Sequence, residues 1–257
     1  MNVGIIGYGN MGESFAKALR DKVQIVVYDI KEERRNKALE EGFGVANDLE
    51  FLLSSCDWLL LAVKPKDAPS LLESISSKME GKLLISIVAG LSLSKIKSLC
   101  KSSRAVRVMP NINALVGMAT MACVFAEGVE EEEKKKFKEL FSHCGSLYEL
   151  QEDTFDTFTA LAGSGPAFVF KFVHALALAG VMEGFSYDTA KSIALDVVVG
   201  SCELLKRLGG NPEEWITKVA SPGGTTIEGL KVLEEKAFVG TLMECVRKTS
   251  EKARKLV

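Results

Sequence analysis

The sequence predicts a doubly wound α/β domain followed by an all-α domain, and three observations lead to this class. Wholly apolar strand-like runs alternate with helical patterns in the first half, and a glycine-rich loop follows the first run. Only helical patterns occur in the second half. Strands that are apolar along their whole length belong to a parallel sheet with helices on both faces. Right-handed crossovers then make a doubly wound topology the simplest arrangement.

The first half contains six apolar runs that we predict to be strands. They lie at residues 3–6, 23–29, 58–63, 83–88, 106–109 and 118–125. Exposed helices are predicted at 32–41 and at 130–141, where acids precede lysines as the helix dipole favours. We place the domain boundary near residue 151, which gives domains of residues 1–150 and 151–257.

The second half contains a series of helix signals. Helices are predicted at 153–162, 166–182 and 186–208, and a fourth begins after residue 211. Asp153, Ser186 and Asn211 are the predicted caps. The helix at 166–182 is apolar nearly all round, as in a helix buried in a bundle or in a dimer core.

The composition excludes several classes of function. With 34 acidic and 32 basic residues the net charge is −2. The chain therefore lacks the excess of positive charge that is typical of proteins that bind nucleic acid or an anionic membrane. The six cysteines are widely spaced among apolar residues, which favours reduced, packed thiols over disulfides. Neither histidine stands in a metal-ligand spacing, so no metal site is predicted.

The longest apolar stretch is a poor candidate for a membrane span. It covers residues 160–182, is interrupted by glycine and proline, and carries Lys171 and His174. The first strand also begins almost at Met1, without a signal peptide before it. We therefore expect a cytoplasmic protein.

The glycine loop follows a strand and opens a helix, which makes it a strong signal for a dinucleotide. Gly7 permits the tight turn, Gly9 lets a pyrophosphate approach the backbone, and Gly12 lets the helix pack on the strand. The helix N-terminus supplies N–H groups to the phosphates. The alternative is a glycine-rich turn without a ligand.

Asp29 closes the second strand, where a carboxylate would bind both ribose hydroxyls of NADH. The same charge would repel the 2′-phosphate of NADPH. Lys31, Arg34 and Arg35 stand close by and carry charge that would neutralise a phosphate. The cofactor is thus NADPH or NADH, with Asp29 favouring NADH; Asp29 as a plain strand terminator is the alternative.

A second candidate anion site lies in the helical half, at residues 220–230. Thr225 and Glu228 fit a capping box, and two glycines precede the predicted cap. Such a turn suits a small carboxylate held by N–H groups and a serine hydroxyl. A well-capped turn between two helices explains the spacing equally well.

Six motifs, in order, resemble the pyrroline-5-carboxylate reductase family over essentially the whole chain. They are Ile6-Gly7-Tyr8-Gly9-Asn10-Met11-Gly12, Ala62-Val63-Lys64-Pro65, Ser86-Ile87-Val88-Ala89-Gly90, Arg107-Val108-Met109-Pro110-Asn111, Leu161-Ala162-Gly163-Ser164-Gly165-Pro166-Ala167 and Ser221-Pro222-Gly223-Gly224-Thr225-Thr226. The chain departs from the usual family pattern at Ile112-Asn113 and at Asp196-Val197, inside the helical domain.

The resemblance implies reduction of a cyclic imine, 1-pyrroline-5-carboxylate, to proline by a Rossmann-type domain and a helical domain that interlocks with a second chain. It implies that the chain forms a homodimer or a higher oligomer. It also implies that the ligand, besides the cofactor, is a small-molecule substrate. The implied cofactor-binding residues are Ile6, Gly7, Tyr8, Gly9, Asn10, Met11, Asp29, Ala62, Val63, Lys64, Pro65 and Ala89. Ser221, Gly224, Thr225 and Thr226 would bind the substrate, with the Thr226 hydroxyl at the ring nitrogen in the catalytic role.

Two other readings of the sequence stay open. One is a related reductase, such as a β-hydroxyacid dehydrogenase, with Lys171 as its catalytic lysine. The other is a non-catalytic dinucleotide-binding sensor, which the glycine loop fits equally well but the second loop fits poorly.

Overall fold

A computed structural model describes residues 1–100 and 104–255 of the chain. The chain divides into two compact units, which are described separately. The first comprises Met1–Ser164 and Thr249–Val257, and the second comprises Gly165–Lys248.

The first unit is built on one sheet, which has eight strands within the described residues. The strands are β1 (Asn2–Ile6), β2 (Gln24–Tyr28), β3 (Gly44–Val45), β4 (Trp58–Leu61), β5 (Leu83–Ser86), β6 (Ala105–Met109), β7 (Ala119–Phe125) and β8 (Gly145–Glu149). Their order is β3-β2-β1-β4-β5-β6-β7-β8. All neighbours are parallel except β6 and β7, which are antiparallel. The predicted doubly wound α/β fold is confirmed.

Helices cover both faces of this sheet. They are α1 (Asn10–Leu19), α2 (Glu32–Glu40), α3 (Leu49–Ser55), α4 (Ala68–Ile75), α5 (Leu93–Cys100), α6 (Glu131–Ser142) and the short α7 (Phe155–Phe158). Strand β4 shows why two faces are needed, since Leu60 enters the core that contains Phe15 and Phe137. Its neighbours Leu59 and Leu61 enter the opposite core, with residues of α3, α4 and α5. Alternate side chains of a strand point to opposite faces, so an all-apolar strand has two buried sides.

The compact units divide later along the chain than the predicted boundary near residue 151, which stays a prediction. The segment after residue 151 packs within the first unit because Phe155 is buried and Glu152 pairs with Arg107 at 2.8 Å. The Asn111 side chain also donates to the Ala162 carbonyl, at 3.0 Å.

The predicted helix at 153–162 is present in irregular form. A 3₁₀ turn at Glu152–Thr154 leads into α7 and then into a π-helical turn at Thr159–Gly163. The predicted cap Asp153 is wrong, because it lies inside the 3₁₀ turn and Thr154 is the residue that precedes α7.

The second unit is helical, as predicted. Its helices are α8 (Gly165–Met182), α9 (Tyr187–Leu208), α10 (Pro212–Val219), α11 (Thr225–Glu235) and α12 (Phe238–Ala253), whose last residues belong to the first unit. Two predicted caps are confirmed: Ser186 Oγ accepts from the Thr189 N–H at 3.2 Å, and Asn211 Oδ1 accepts from the Glu213 N–H at 3.1 Å.

Large apolar side chains of this unit are exposed in the single chain. On α8, Phe170 is 61% exposed and Met182 is 86% exposed. Within the described residues one helical run, Glu152–Met182, has the length and mean hydropathy (1.6) of a membrane span, which is weak evidence on length and composition alone. Exposed apolar surface of this size marks a region that contacts a protein partner or a membrane.

Four of the six cysteines, Cys56, Cys100, Cys123 and Cys144, are buried thiols. Burial raises the pKa of Cys123 and of Cys144 to about 12. These two side chains therefore stay protonated at neutral pH and act as small apolar groups in the core.

Candidate functional site

The predicted cofactor-binding segments follow strands β1, β4 and β5 and share the carboxyl edge of the sheet. The Ala62 N–H donates to the Ile6 carbonyl at 2.8 Å, and the Ile87 N–H donates to the Leu61 carbonyl at 3.1 Å. The chain order of the strands reverses between β1 and β4. In open α/β sheets ligands bind outside the carboxyl ends of the strands at such a switch point.

Gly7 and Gly12 stand where no other residue fits. Gly7 has a φ of +99°, and a Cβ there would lie 2.5 Å from the Ala62 carbonyl oxygen. A Cβ on Gly12 would lie 2.0 Å from the Gly7 carbonyl oxygen. The turn and the start of α1 therefore pack backbone against backbone, which is the tight geometry predicted from the glycine spacing.

The open side of the loop is at Gly9, which precedes α1 and brings no side chain to cap it. The nearest atom to a Cβ built on Gly9 is Arg34 Nη1, at 3.6 Å. Asn10 is exposed and Met11 is half-buried against the core. The exposed backbone at a helix N-terminus fits the pyrophosphate of a dinucleotide.

Tyr8 turns its side chain inward, away from the open side of the loop. Its ring is 2% exposed and packs edge-on against Phe43, and its hydroxyl donates to Glu41 at 2.7 Å. Burial and the Glu41 carboxylate raise the pKa of Tyr8 well above its usual range. Tyr8 therefore anchors the loop, and its side chain is occupied within the protein.

Asp29 lies directly beneath the glycine loop and is 4% exposed. Its Oδ2 accepts from the Tyr8 N–H at 2.7 Å and from Arg34 Nη1 at 3.2 Å. Its Oδ1 accepts from the Lys31 N–H at 2.9 Å. The Asp29 carboxylate, which is predicted to face a ribose, thus also fixes the glycine loop and forms an ion pair with Arg34.

A groove of about 500 Å³ lies beside the loops that follow β4 and β5. Pro65 and Ala89 line it, together with residues at the start of α5. Ala62 and Val63 are half-buried, whereas Lys64, Pro65 and Ala89 are exposed. The structure therefore brings the cofactor-binding residues predicted for these two loops to one edge of the sheet.

Glu152 supports the loop after β5, and sequence reasoning missed it. Its Oε1 accepts from the Leu93 N–H at 2.8 Å and from Arg107 Nη1 at 2.8 Å. The Arg107 guanidinium also lies 4.6 Å over the Phe155 ring. A buried arginine needs a carboxylate partner, but the sequence holds many carboxylates and gives no signal for this one.

The predicted substrate-binding residues lie in the helical unit, on the turn before α11. The Gly224 N–H donates to the Ser221 carbonyl at 3.1 Å, and Gly223 has a φ of +68°. A Cβ on Gly224 would lie 2.3 Å from Ser221 Oγ, so the serine hydroxyl sits directly over the glycine. Thr225 is exposed and Thr226 is half-buried in the first turn of α11.

The predicted capping box at this turn is wrong. Gly224 is the N-cap of α11, and Thr225 is already the first helical residue. A glycine cap has no side chain to satisfy the first N–H groups of the helix. These groups are left for another acceptor, which is the property that an anion site needs.

Two protein families match separate segments of the chain. Residues 152–256 match the family described as pyrroline-5-carboxylate reductase dimerisation. Residues 2–90 match the family described as NADP oxidoreductase, coenzyme F420-dependent.

Individual relatives match over the full length. The pyrroline-5-carboxylate reductase of Aquifex aeolicus is 52% identical over 260 residues, covering 100% of this chain and 97% of the relative. The Synechocystis reductase is 35% identical and covers 100% of this chain and 98% of the relative. The crystal structure of the Plasmodium falciparum pyrroline carboxylate reductase with NADP bound has a TM-score of 0.90 and 31% identity. It covers 99% of this chain and 97% of that one.

The sheet, the glycine loop and these matches define an NAD(P)H-dependent oxidoreductase. The helical half and the full-length relatives narrow the class further. The chain belongs to the pyrroline-5-carboxylate reductase family.

The two departures from the family pattern lie in a 3₁₀ turn of the first unit and on helix α9 of the second. Ile112 and Asn113 lie in a 3₁₀ turn whose cap, Asn111, accepts from the Asn113 N–H at 3.3 Å. Asp196 and Val197 are exposed on α9.

The alternative of a β-hydroxyacid dehydrogenase depended on Lys171 as the catalytic lysine. Lys171 is exposed on α8, and the family assignment removes the reason for that alternative.

Proposed function

We propose that this chain reduces 1-pyrroline-5-carboxylate to L-proline with NADH or NADPH. The observation that carries the proposal is the 52% identity to a pyrroline-5-carboxylate reductase along the whole chain. The uncapped start of α11 beside Ser221 supports it, because free N–H groups and a hydroxyl suit a small carboxylate. A cytoplasmic location is part of the same proposal.

The chemistry asks little of the protein. A bound reduced nicotinamide supplies the hydride, and the C=N bond of the imine is already electrophilic. The protein must orient the imine, exclude water and help to protonate its nitrogen. We assign the cofactor to the loops at Gly7–Met11, Ala62–Pro65 and Ala89, with Asp29 beneath the first, and the substrate to Ser221, Gly224, Thr225 and Thr226.

We also propose a homodimer formed through the helical unit. The family matched at residues 152–256 is described as a dimerisation region. Helices α8 and α9 expose large apolar side chains, such as Phe170 and Val199. Contact of this apolar surface with water is unfavourable in free energy. A second copy of the chain would bury it.

Purified protein tests the catalytic proposal through the loss of reduced-cofactor absorbance with 1-pyrroline-5-carboxylate, run in parallel with NADH and NADPH. We expect loss that depends on the imine, with proline accumulating in equal amount. A hydroxy acid supplied with NAD⁺ serves as the control substrate and should give no reaction. Tight nucleotide binding without turnover would instead favour the sensor hypothesis.

Thr226→Ala is expected to impair turnover without abolishing it. The Thr226 hydroxyl is assigned to the substrate nitrogen, and loss of a buried hydrogen bond costs about 1–3 kcal/mol, or roughly 5-fold to 150-fold in kcat/KM. Steady-state kinetics with varied imine measure the effect. Thr217→Ala is the matched control, because that hydroxyl is occupied by the Glu213 carbonyl at 3.0 Å. Equal kcat/KM for the two variants would remove Thr226 from the site.

A further inference from the structure

Arg34 lies at the open side of the glycine loop. Its Nη1 is 3.2 Å from Asp29 Oδ2, and it is 3.6 Å from the place where a Cβ on Gly9 would stand. The side chain is 39% exposed, whereas that of Asp29 is 4% exposed. A ligand that approaches Gly9 and the end of β2 therefore meets the guanidinium before it meets the carboxylate.

The charge of Asp29 is already compensated. Its two oxygens accept from the Tyr8 and Lys31 N–H groups and from Arg34. A carboxylate held by two amides and a guanidinium is a weak source of repulsion toward a nearby phosphate. A free carboxylate would repel a 2′-phosphate, but the Asp29 carboxylate is paired with Arg34 and with two backbone N–H groups.

Arg35 stands next in the chain, but its side chain makes different contacts. Its Nη1 donates to the Asp29 carbonyl at 2.7 Å and to the Ile30 carbonyl at 3.3 Å. These contacts fix the backbone at the end of β2. Of this pair of neighbouring cations, Arg34 is thus the one that lies against the glycine loop.

We propose that Arg34 is the specificity-determining residue of the cofactor site and lets it accept the 2′-phosphate of NADPH, reversing the preference for NADH predicted from Asp29 alone. A planar guanidinium binds phosphate oxygens in a bidentate manner, which a lysine cannot do. Asp29 keeps two backbone N–H donors when Arg34 turns to the phosphate. The proposal rests on the proposed function for the identity of the cofactor.

Calorimetric titration of the full chain with NADPH and with NADH, without the imine, tests Arg34. We expect Arg34→Gln to weaken NADPH binding roughly ten-fold or more, because a charge-assisted contact to the 2′-phosphate is lost. NADH binding should stay within about three-fold of the wild type, since NADH has no such phosphate. Adenosine 2′,5′-bisphosphate and adenosine 5′-monophosphate should show the same difference. The first carries a 2′-phosphate, as NADPH does, and the second carries a 2′-hydroxyl, as NADH does.

Arg35→Gln is the matched control and should leave the ratio of the two dissociation constants within about three-fold of the wild type. Arg34→Lys, which keeps the charge but not the fork, should fall between the wild type and Arg34→Gln. An unchanged ratio in Arg34→Gln, or an equal change in Arg35→Gln, would overturn the assignment. Since no imine is present, these outcomes are independent of whether the protein makes proline.

Discussion

Gly12→Ala is expected to weaken dinucleotide binding strongly and to destabilise the first unit. The new Cβ would stand 2.0 Å from the Gly7 carbonyl oxygen, which is backbone and cannot rotate away. Either α1 moves off the strand or the turn at Gly7 opens. Overpacking of this kind costs about 1–3 kcal/mol of unfolding free energy, and more where backbone must move.

Thermal unfolding and nucleotide titration together measure this effect. We expect a lower Tm and binding of either dinucleotide at least roughly ten-fold weaker than in the wild type, because the phosphate-binding backbone is displaced. Gly9→Ala is the matched control, since its Cβ makes only ordinary contact at 3.6 Å. It should keep the wild-type Tm and lose affinity, because the methyl group stands where a pyrophosphate approaches. A Gly12→Ala protein that binds NADPH normally would contradict the assignment of this loop.

Gly224→Ala is expected to lower kcat/KM for the imine by roughly ten-fold or more while dinucleotide affinity stays unchanged. The added Cβ would lie 2.3 Å from Ser221 Oγ. Ser221 Oγ ends a short side chain and can rotate away, and the Ser221 carbonyl oxygen, 3.2 Å from the new Cβ, needs only a small shift. The helix therefore survives, and the hydroxyl leaves its place over the turn. The substrate carboxylate then loses a hydrogen-bond donor.

Steady-state kinetics with saturating cofactor and varied imine measure this loss. Gly229→Ala, on the same helix with open space around its Cβ, is the control and should be as active as the wild type. If the effect passes through Ser221, the Ser221→Ala and Gly224→Ala changes should not add in the double variant. Full additivity, or normal activity of Gly224→Ala, would exclude the proposed role of this turn.

Local patterns were sufficient to predict the glycine loop and the long strands. The Gly7–Gly12 spacing reflects the positive φ of Gly7 and the close approach of Gly12 to the Gly7 carbonyl, which are both local, so it is visible in six residues. The apolar runs that became β4 and β5 are buried on both faces and needed no knowledge of their partners. Strand β3 was not predicted because two residues are too few to show an alternation of apolar and polar side chains. Strand β8 was not predicted because most of its positions are exposed, so its sequence is not an apolar run.

Features that depend on contacts distant in the chain could not be predicted. The sequence shows Asp29 and Arg34 as neighbours but not that the guanidinium lies over Gly9. It gives no sign that Glu152 holds the Leu93 N–H and Arg107 together. The error at α11 was local: Thr225 and Glu228 have capping-box spacing, but the helix begins one residue earlier and Gly224 is the cap.

The most direct test of the proposed reaction is the fate of the hydride. The protein would be supplied with 1-pyrroline-5-carboxylate and with NADPH that carries deuterium at the transferable position of C4. We predict L-proline with one deuterium on the ring carbon that was doubly bonded to nitrogen, formed in equal amount to the cofactor oxidised. Cofactor oxidation without labelled proline, or no oxidation despite bound NADPH, would contradict the assignment of this chain as a reductase of that imine.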